Sequence, residues 1–469
     1  MQAWLIARDS HLFFDLFHDL RYEGHPALWY LILNALARIS WNPLGMQIIN
    51  YVFSITEAWL ILSARKLHWV IRILLVFSFF VFHNYGAVAR SYMLAMLLLT
   101  AAVRCLLAER PRRKLAILFL ALSINTHILA VPVAVAIALW GFCFGKVESW
   151  RDIGKVFRDW ETWVASLVLL ASLTIAYLTV RPPADIIASM QPTERRSIAY
   201  ESILVEGVSW QAFIPVESER LPAGARKWLF PDNQSLCFTA LGFSLALFIL
   251  IAGALRTIQA RTFFLSGSVL VMIAIASTVK NNAQLRYYGF YFTIFLLALM
   301  MDAYASSGKA VKVHFLKPIA STVVLAILTI QALAGIYASI GSSIHPYSDA
   351  RSVGLWLREQ GLSKRPMVVD GYSALAVLGY MERPPAYLTS CDCFNSYALL
   401  NRSLYDSERR ATLDDLRIAR GNSSLPVVLL VAYRKLDQAD LSKLGLTEIH
   451  IPEKVSSRGT FTVYEQDHP

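Results

Sequence analysis

Long apolar segments alternate with short charged ones along most of the chain, and this pattern dominates the sequence. Apolar runs occur at about 43–63, 69–84, 91–108, 115–125 merging into 128–145, 161–180, 235–255, 262–279, 288–305 and 318–338. A helix of about 20 apolar residues crosses the hydrocarbon core of a bilayer. The pattern therefore predicts a mainly α, polytopic membrane protein with about 10 transmembrane helices.

Composition and charge distribution favour a membrane protein and argue against nucleic-acid binding. Hydrophobic residues make up 56% of the 469 residues, charged residues only 16%, and the mean hydropathy is +0.47. The net charge of +11 comes from basic residues in short clusters between the apolar segments. Such clusters mark cytoplasmic loops. If the spans alternate, residues 1–42, the loop 181–234 and the tail after residue 340 lie outside the cytoplasm.

This sidedness predicts three regions. Residues 1–42 alternate apolar and charged positions, which indicates amphipathic helices of a first outer loop at the membrane surface. Residues 43–340 form the transmembrane domain, whose outer loop 181–234 is long enough to cover a site. Residues 341–469 form a small extracytoplasmic α/β domain.

The α/β domain is predicted from its alternation of helical and strand-like segments. Amphipathic spacing predicts helices from Asp349 to Gln360 and from Leu404 to Arg420. Apolar runs rich in β-branched residues predict strands from Pro366 to Asp370 and from Pro426 to Ala432.

Two cysteines lie close together in this domain. Cys391 and Cys393 flank Asp392, and a disulfide across a single residue is expected to be strained. Two thiolates alone also make a poor zinc site. We therefore predict neither a metal centre nor a redox centre there.

The segment from Arg21 to Tyr30 combines charge with an apolar, aromatic continuation. Arg21, Glu23 and His25 fall within a few residues of one another, on a Gly-Pro turn. Ionisable residues at a membrane segment are costly and therefore mark candidate functional sites. The alternative interpretation is a loop whose Trp and Tyr side chains anchor the chain at the bilayer edge.

Polar residues also recur at the outer ends of later spans. The four outward features are Arg21 to Tyr30, His83 to Tyr92, Asn125-Thr126-His127, and Lys280 with Arg286-Tyr287-Tyr288. If these loops converge, they bring carboxylates and imidazoles together with several cations. A carboxylate can act as general base for a hydroxyl, while arginine and lysine neutralise a phosphate leaving group. This combination suits transfer from a lipid phosphate.

Each of these features also has a structural interpretation. Arg90 and Arg286 could be snorkelling anchors, and His127 could be a hydrogen-bonded histidine at a helix end. Tyr287 and Tyr288 are typical of an aromatic belt. The sequence contains no P-loop, no Rossmann fingerprint, no His-Glu-x-x-His and no Gly-x-Ser-x-Gly, so it gives no support to ATP-driven or Rossmann-type activities.

In these motifs the chain resembles the GT-C-type polytopic glycosyltransferases, which include the protein mannosyltransferase-like and aminoarabinose transferase-like enzymes. Glu23-Gly24-His25-Pro26 with Leu28-Trp29-Tyr30 is similar to their His-Pro-Pro-Leu segment, Ala89 to Tyr92 to their "ARxY" element, and residues 125–127 to their "NTH". The resemblance covers essentially the whole chain. It implies sugar transfer from a polyprenyl-phosphate donor to a lipid, glycan or protein acceptor, at the outer face of a bacterial inner membrane.

The resemblance also implies which residues form the site. The catalytic candidates are Glu23, His25 and Asp9; the substrate-binding candidates are Arg21, Tyr22, Arg90, Tyr92, His127, Lys280 and Arg286. Asp9 could instead cap a helix, while Asp15 and Asp19 are expected to be solvated. The sequence indicates no cofactor, no metal ligand set and no protein partner, and it leaves a divalent-metal requirement open. The expected partners are the lipid-linked donor and membrane lipids.

Family members carry an acidic pair just before a segment like Gln2 to Ser10, and a span before that. We therefore expect a span and the main catalytic carboxylate to lie upstream of Met1, and the in-frame upstream sequence tests this expectation. Two other classes stay open. A polysaccharide polymerase or ligase is weakly favoured by Arg195-Arg196 in the outer loop, and a lipid-linked sugar transporter or flippase requires acids deep within spans, of which Glu57 is the clearest.

Overall fold

A computed structural model describes residues 1–10, 13–143, 159–186, 209–216, 234–278, 284–304, 317–344, 348–382, 386–401, 406, 409–456 and 460–466. Helices dominate, as the apolar pattern predicts. The first part of the chain contains α1 (Gln2–Asp9), α2 (Phe13–Glu23), α3 (Leu28–Ile39), α4 (Leu44–Leu62), α5 (Trp69–Val76), a π-helix (Phe79–Asn84), α6 (Ser91–Leu106), α7 (Arg113–Ile124), α8 (Ala130–Ala138) and a second π-helix (Leu139–Cys143). The later helices are α9 (Trp160–Val180), α10 (Gln234–Ala254), α11 (Ile258–Thr278), α12 (Leu285–Tyr304), α13 (Lys317–Ile344), α14 (Ala350–Glu359), α15 (Leu375–Leu378), α16 (Leu413–Arg420) and α17 (Gln438–Leu444).

Five helices in the described part of the chain are long and apolar enough to cross a membrane. They are Leu44–Leu62, Trp160–Val180, Ile258–Ser277, Leu285–Tyr304 and Ser321–Ile344. Leu28–Ile39, Ser91–Leu106, Ala130–Phe142 and Ala240–Ala254 are apolar but shorter. The mainly helical class is confirmed, and the five helices are compatible with a membrane protein.

The chain forms two compact units, each described by itself. The first comprises residues 1–48, 179–193 and 342–469, and the second comprises residues 49–178 and 194–341. The sequence pattern predicts that residues 1–42 and 341–469 form separate regions, whereas in the structure both contribute to the first unit.

The second unit is built around α12. This helix is 83% buried over its apolar window, whereas the other candidate spans are 22–39% buried. The exposed faces of those helices remain strongly apolar, with side chains such as Trp59, Leu167 and Leu333 more than 60% exposed. Apolar surface on this scale is unusual in a soluble protein, and it fits contact with lipid tails.

One predicted span is interrupted, and another apolar run divides at Asn125-Thr126-His127, where the sequence predicts a polar break. The segment 69–84 divides into α5 and the π-helix that follows it, and the segment 115–145 breaks at Asn125, between α7 and α8. Asn50, on α4, stabilises the end of the first interruption by donating to the carbonyl oxygens of Tyr85 and Gly86, at 3.1 and 2.8 Å. A buried side chain thus satisfies carbonyl groups that leave the helical pattern.

The first unit contains a six-stranded sheet of order β3-β2-β1-β4-β6-β5. The strands are β1 (Met367–Asp370), β2 (Ala386–Leu388), β3 (Cys393–Phe394), β4 (Val428–Ala432), β5 (Leu446–Ile449) and β6 (Phe461–Gln466). β2, β1 and β4 are parallel, and the outer strands are antiparallel to their neighbours. Every residue of β1 is buried, as expected for a parallel strand covered on both faces.

The N-terminal helices pack within this same unit. Trp4 is fully buried, and its indole N–H donates to the carbonyl oxygen of Trp41 at 3.2 Å. Asn34, on α3, donates to the carbonyl oxygen of Ala7 at 2.6 Å. These contacts hold α1 against α3.

Two predictions for the α/β domain are wrong. The helix expected from Leu404 to Arg420 begins only at Leu413, because Thr412 forms a capping box with Asp415 that fixes the start. The second wrong prediction concerns the cysteine pair, for which a disulfide was judged too strained. Cys391 and Cys393 form a disulfide, since Asp392 adopts a φ of 54° and turns the chain so that the two Cα atoms lie 5.3 Å apart.

Candidate functional site

The sequence-predicted site residues fall in both compact units. Asp9, Arg21, Tyr22, Glu23 and His25 belong to the first unit, and Arg90, Tyr92, His127 and Arg286 belong to the second. Lys280 lies outside the described residues.

Asp9 is held in an ion pair. Both Asp9 oxygens accept hydrogen bonds from Arg8, at 2.8 and 2.7 Å, and the Ser396 hydroxyl also donates to this carboxylate. Arg8 is almost completely buried and donates to the carbonyl oxygen of Met381 at 2.9 Å. A buried arginine with a bidentate carboxylate is a structural arrangement that fixes the end of α1.

Glu23 has a different environment. It is the last residue of α2, it is half-buried, and its Oε1 accepts a hydrogen bond from the Gln2 amide at 3.2 Å. Gln2 also donates to the carbonyl oxygen of Ala398 at 2.8 Å. His25 follows Gly24, whose φ of 67° turns the chain out of α2. Glu23 is therefore bonded here to a neutral amide, whereas Asp9 is bonded to a cation.

Arg21 and Tyr22 contact the segment that follows α9. Arg21 donates to the carbonyl oxygen of Arg181 at 3.2 Å. The buried Tyr22 hydroxyl donates to the Asp185 carboxylate at 2.9 Å, and Asn401 donates to the same carboxylate at 2.5 Å. Burial, together with the hydrogen bond to Asp185, raises the pKa of Tyr22.

Asp19, expected to be solvated, is in fact buried. Its carboxylate accepts a hydrogen bond from Tyr397 at 2.5 Å and lies 3.1 Å from His18 Nδ1. Burial raises the pKa of Tyr397, and the bond to Asp19 raises it further. The expectation of solvation was wrong because the amphipathic face of α2 packs within the first unit instead of facing water. Asp15 is exposed, as predicted.

These two tyrosines predict a stability that falls in alkali. Their pKa values are raised on folding, so their contribution is complete below about pH 10, the pKa of an unfolded tyrosine, and is lost as pH rises above it. We expect the thermal midpoint to fall above about pH 10 and to fall less steeply in Tyr397→Phe. Tyr433→Phe, which removes an exposed hydroxyl in the same unit, serves as the control. An unchanged slope in Tyr397→Phe would refute the assignment.

In the second unit, the loop before α6 positions two tyrosines. Tyr85 is fully buried, and its hydroxyl donates to the carbonyl oxygen of Arg286 at 2.7 Å. The Tyr85 ring stacks on Tyr92, with centroids 5.1 Å apart. Arg90 is exposed at the start of α6 and lies within electrostatic reach of the Tyr92 hydroxyl. The hydrogen bond from Tyr85 to Arg286 links the loop before α6 to the start of α12.

His127 lies against the same tyrosine. Its ring centroid is 4.5 Å from that of Tyr92 and 5.2 Å from that of Phe290, and the side chain is almost completely buried. The backbone N–H of Leu129 donates to His127 Nδ1 at 3.1 Å. A neutral imidazole in this position carries its proton on Nε2.

Arg286 completes the cluster. Its guanidinium lies 5.3 Å from the centroid of the Tyr287 ring and within hydrogen-bonding reach of the Tyr92 hydroxyl. Arg286 Nε is buried, and it has no hydrogen-bond partner among the described residues. Within the same described ranges, Arg286 forms no ion pair with a carboxylate. Buried donors without a partner are rare, so this atom marks a place for a hydrogen-bond acceptor that the described chain does not supply.

The structure thus brings together three of the four sequence features in one place. Tyr92 in the first turn of α6, His127 between α7 and α8, and Arg286 in the first turn of α12 meet around Phe290. We call these four residues, with Tyr85 and Tyr287, the aromatic–arginine cluster. Sequence analysis missed Phe290 and interpreted Tyr287 as a belt aromatic. Their positions in the first turns of α12, beside Arg286, are the signal that could have revealed them.

The described residues contain no group of three or more His, Cys, Asp or Glu side chains that could hold a metal ion. The segment between α9 and α10 is described only in part. Trp210 in this segment lies in a short 3-10 turn, Ser209–Ala212, and is buried within the second unit. No protein-family model, curated protein or solved structure matches the chain.

Proposed function

We propose that the protein is a GT-C-type membrane glycosyltransferase, with about 10 spans, that transfers a sugar from a polyprenyl-phosphate donor to an extracytoplasmic acceptor. The observation that carries the proposal is Arg286, a half-buried cation whose buried Nε has no hydrogen-bond partner in the described chain. It lies at the start of α12, in a unit whose other helices expose apolar faces. A lipid phosphate needs both a cation and an apolar surface for its chain.

The chemistry assigned to the cluster is stabilisation of the leaving group. The acceptor hydroxyl forms a bond to the anomeric carbon of the sugar, and the bond from that carbon to the phosphate oxygen breaks. The phosphate keeps the electron pair, and the hydroxyl proton passes to a general base. Arg286 offsets the charge that develops on the phosphate, and the Tyr92 hydroxyl supplies a second donor.

Glu23 and His25 remain the proposed residues for the acceptor side. A general base must accept a proton from the hydroxyl, and Glu23 supplies a half-buried carboxylate at the end of α2 for this role. Asp9 is the weaker candidate because Arg8 holds it in a bidentate pair.

A transporter of lipid-linked sugars is the second candidate, and Glu57 favours it. Glu57 is fully buried in α4, and its Oε1 accepts a hydrogen bond from Thr100 at 2.8 Å. An acid inside a span is typical of transport pathways. Asp302 gives no such support, since it accepts hydrogen bonds from the backbone N–H groups of Arg256 and Thr257 and so fixes the start of α11.

A matched pair of lipids tests phosphate recognition. The protein in lipid nanodiscs is expected to show a higher thermal midpoint with undecaprenyl phosphate than with undecaprenol, which lacks only the phosphate. Arg286→Ala should abolish the difference. An equal midpoint with both lipids, or a difference that persists in Arg286→Ala, would contradict the proposed site.

A further inference from the structure

The sheet of the first unit has a change of direction in its strand order. From β1, one connection leads through α15 to β2 on one side, and the chain later returns through α16 to β4 on the other side. β2, β1 and β4 are parallel. When neighbouring parallel strands are connected in opposite directions, a crevice opens at their carboxyl ends, and ligands of α/β proteins bind there. This position lies between the ends of β1 and β4.

A buried ion pair lies at this crevice. Asp370 is the last residue of β1, and Arg434 follows β4 by two residues and donates to the Asp370 carboxylate. The same carboxylate accepts the backbone N–H of Ala411 at 3.0 Å. Arg434 Nη1 is buried, and the described chain offers it no hydrogen-bond partner. The pair therefore keeps an unused donor while its two charges compensate each other.

Each member of this ion pair has a tyrosine near it in the sequence: Tyr372 follows Asp370 by two residues, and Tyr433 directly precedes Arg434. Tyr433 is 66% exposed and has a φ of 61°, which is uncommon for a residue with a side chain. Tyr372 is 40% exposed and begins a 3-10 turn that packs beside β4. The turn follows Gly371, which has a φ of 93° and open space where a Cβ would project. Two partly exposed tyrosines therefore lie within two residues of Asp370 and Arg434 in the sequence.

We propose that this crevice binds a neutral sugar unit. A sugar presents hydroxyl groups, which can accept from Arg434 Nη1 and donate to the Asp370 carboxylate, and apolar C–H faces, which pack on tyrosine rings. An anion is disfavoured because Asp370 already neutralises Arg434. The site is in the α/β domain and is distinct from the aromatic–arginine cluster, so it does not depend on sugar transfer.

Binding can be measured on the full chain in lipid nanodiscs, without detergents that carry sugar headgroups. Saturation-transfer difference NMR is recorded with the methyl glycosides of glucose, galactose, mannose and N-acetylglucosamine, and with glucuronate as the anionic probe. We expect at least one neutral glycoside to bind, and binding to weaken about tenfold in Tyr433→Gly, which removes the ring. Glycine adopts a φ near 61° without strain, so this variant should fold.

Control variants make the result specific. Phe394→Ala removes an exposed ring from edge strand β3 of the same sheet, and Arg286→Ala removes the proposed donor site in the second unit. Phe394→Ala should keep the neutral-sugar signal, and so should Lys114→Ala, which removes an exposed cation outside both proposed sites; Arg286→Ala serves only to show which part of the signal comes from the donor site. The proposal is overturned if no neutral glycoside binds, if glucuronate alone binds, or if Tyr433→Gly binds as the wild type does.

Discussion

Arg286→Ala is expected to lower the rate of sugar transfer about 100-fold or more, because removing one preorganised donor to a developing oxyanion commonly has an effect of this size. The guanidinium lies by Tyr92 and Tyr287, and its Nε is buried without a partner in the described ranges. Tyr85 bonds to the backbone carbonyl oxygen of Arg286, and this oxygen is retained in the alanine variant. The loss should therefore appear in transfer and not in folding.

The measurement is the initial rate of polyprenyl phosphate release from a radiolabelled donor. Arg286→Lys keeps the charge but loses the planar pair of donors, so we expect an intermediate rate. Lys114→Ala, which removes an exposed cation from the start of α7, serves as the control and should transfer sugar at the wild-type rate. Wild-type transfer by Arg286→Ala would remove Arg286 from the site.

Gly289→Ala is expected to destabilise the second unit by about 1–3 kcal/mol, the usual cost of overpacking a core. A Cβ at this position would lie 2.2 Å from the Tyr85 hydroxyl oxygen and 2.6 Å from the Phe80 ring. Tyr85 cannot yield easily, because it is fully buried, stacks on Tyr92 and bonds to the carbonyl oxygen of Arg286. The added methyl group would therefore disturb the aromatic–arginine cluster itself.

Thermal unfolding of the variant in nanodiscs checks this expectation. Gly242→Ala, on the exposed face of α10 with no atom within 4 Å of the new Cβ, is the matched control. Since alanine has the higher helix propensity, the control should unfold at or above the wild-type midpoint. Equal midpoints for Gly289→Ala and the wild type would show that Tyr85 can move aside, contrary to the packing described here.

The sequence predicts the helical framework well because apolar residues recur wherever a helix face is buried or faces lipid. It also predicts the convergence of Tyr92, His127 and Arg286, since polar residues at the ends of successive spans share one side. Their catalytic role stays a prediction. The interruption inside the 69–84 run was not predicted, because the buried Asn50 that stabilises its end lies far away in sequence.

Three other features depend on contacts or strand order that cannot be inferred from the neighbouring residues in the sequence. Asp19 looks solvated on an amphipathic helix, but Tyr397 bonds to it from almost the other end of the chain. The Cys391–Cys393 disulfide depends on the positive φ of Asp392. The crevice at Asp370 and Arg434 follows from strand order, which becomes visible only when β1 and β4 are seen side by side.

Product analysis in sealed proteoliposomes tests the central claim most directly. The protein is supplied with a cell-envelope extract as the source of acceptor and with a polyprenyl-phosphate hexose that carries one label in the lipid and another in the sugar. The proposal predicts that the labels separate, with free polyprenyl phosphate released in a 1:1 ratio to sugar transferred, and that Arg286→Ala abolishes the separation. Movement of the doubly labelled donor across the bilayer without cleavage would contradict the transferase and favour a transporter.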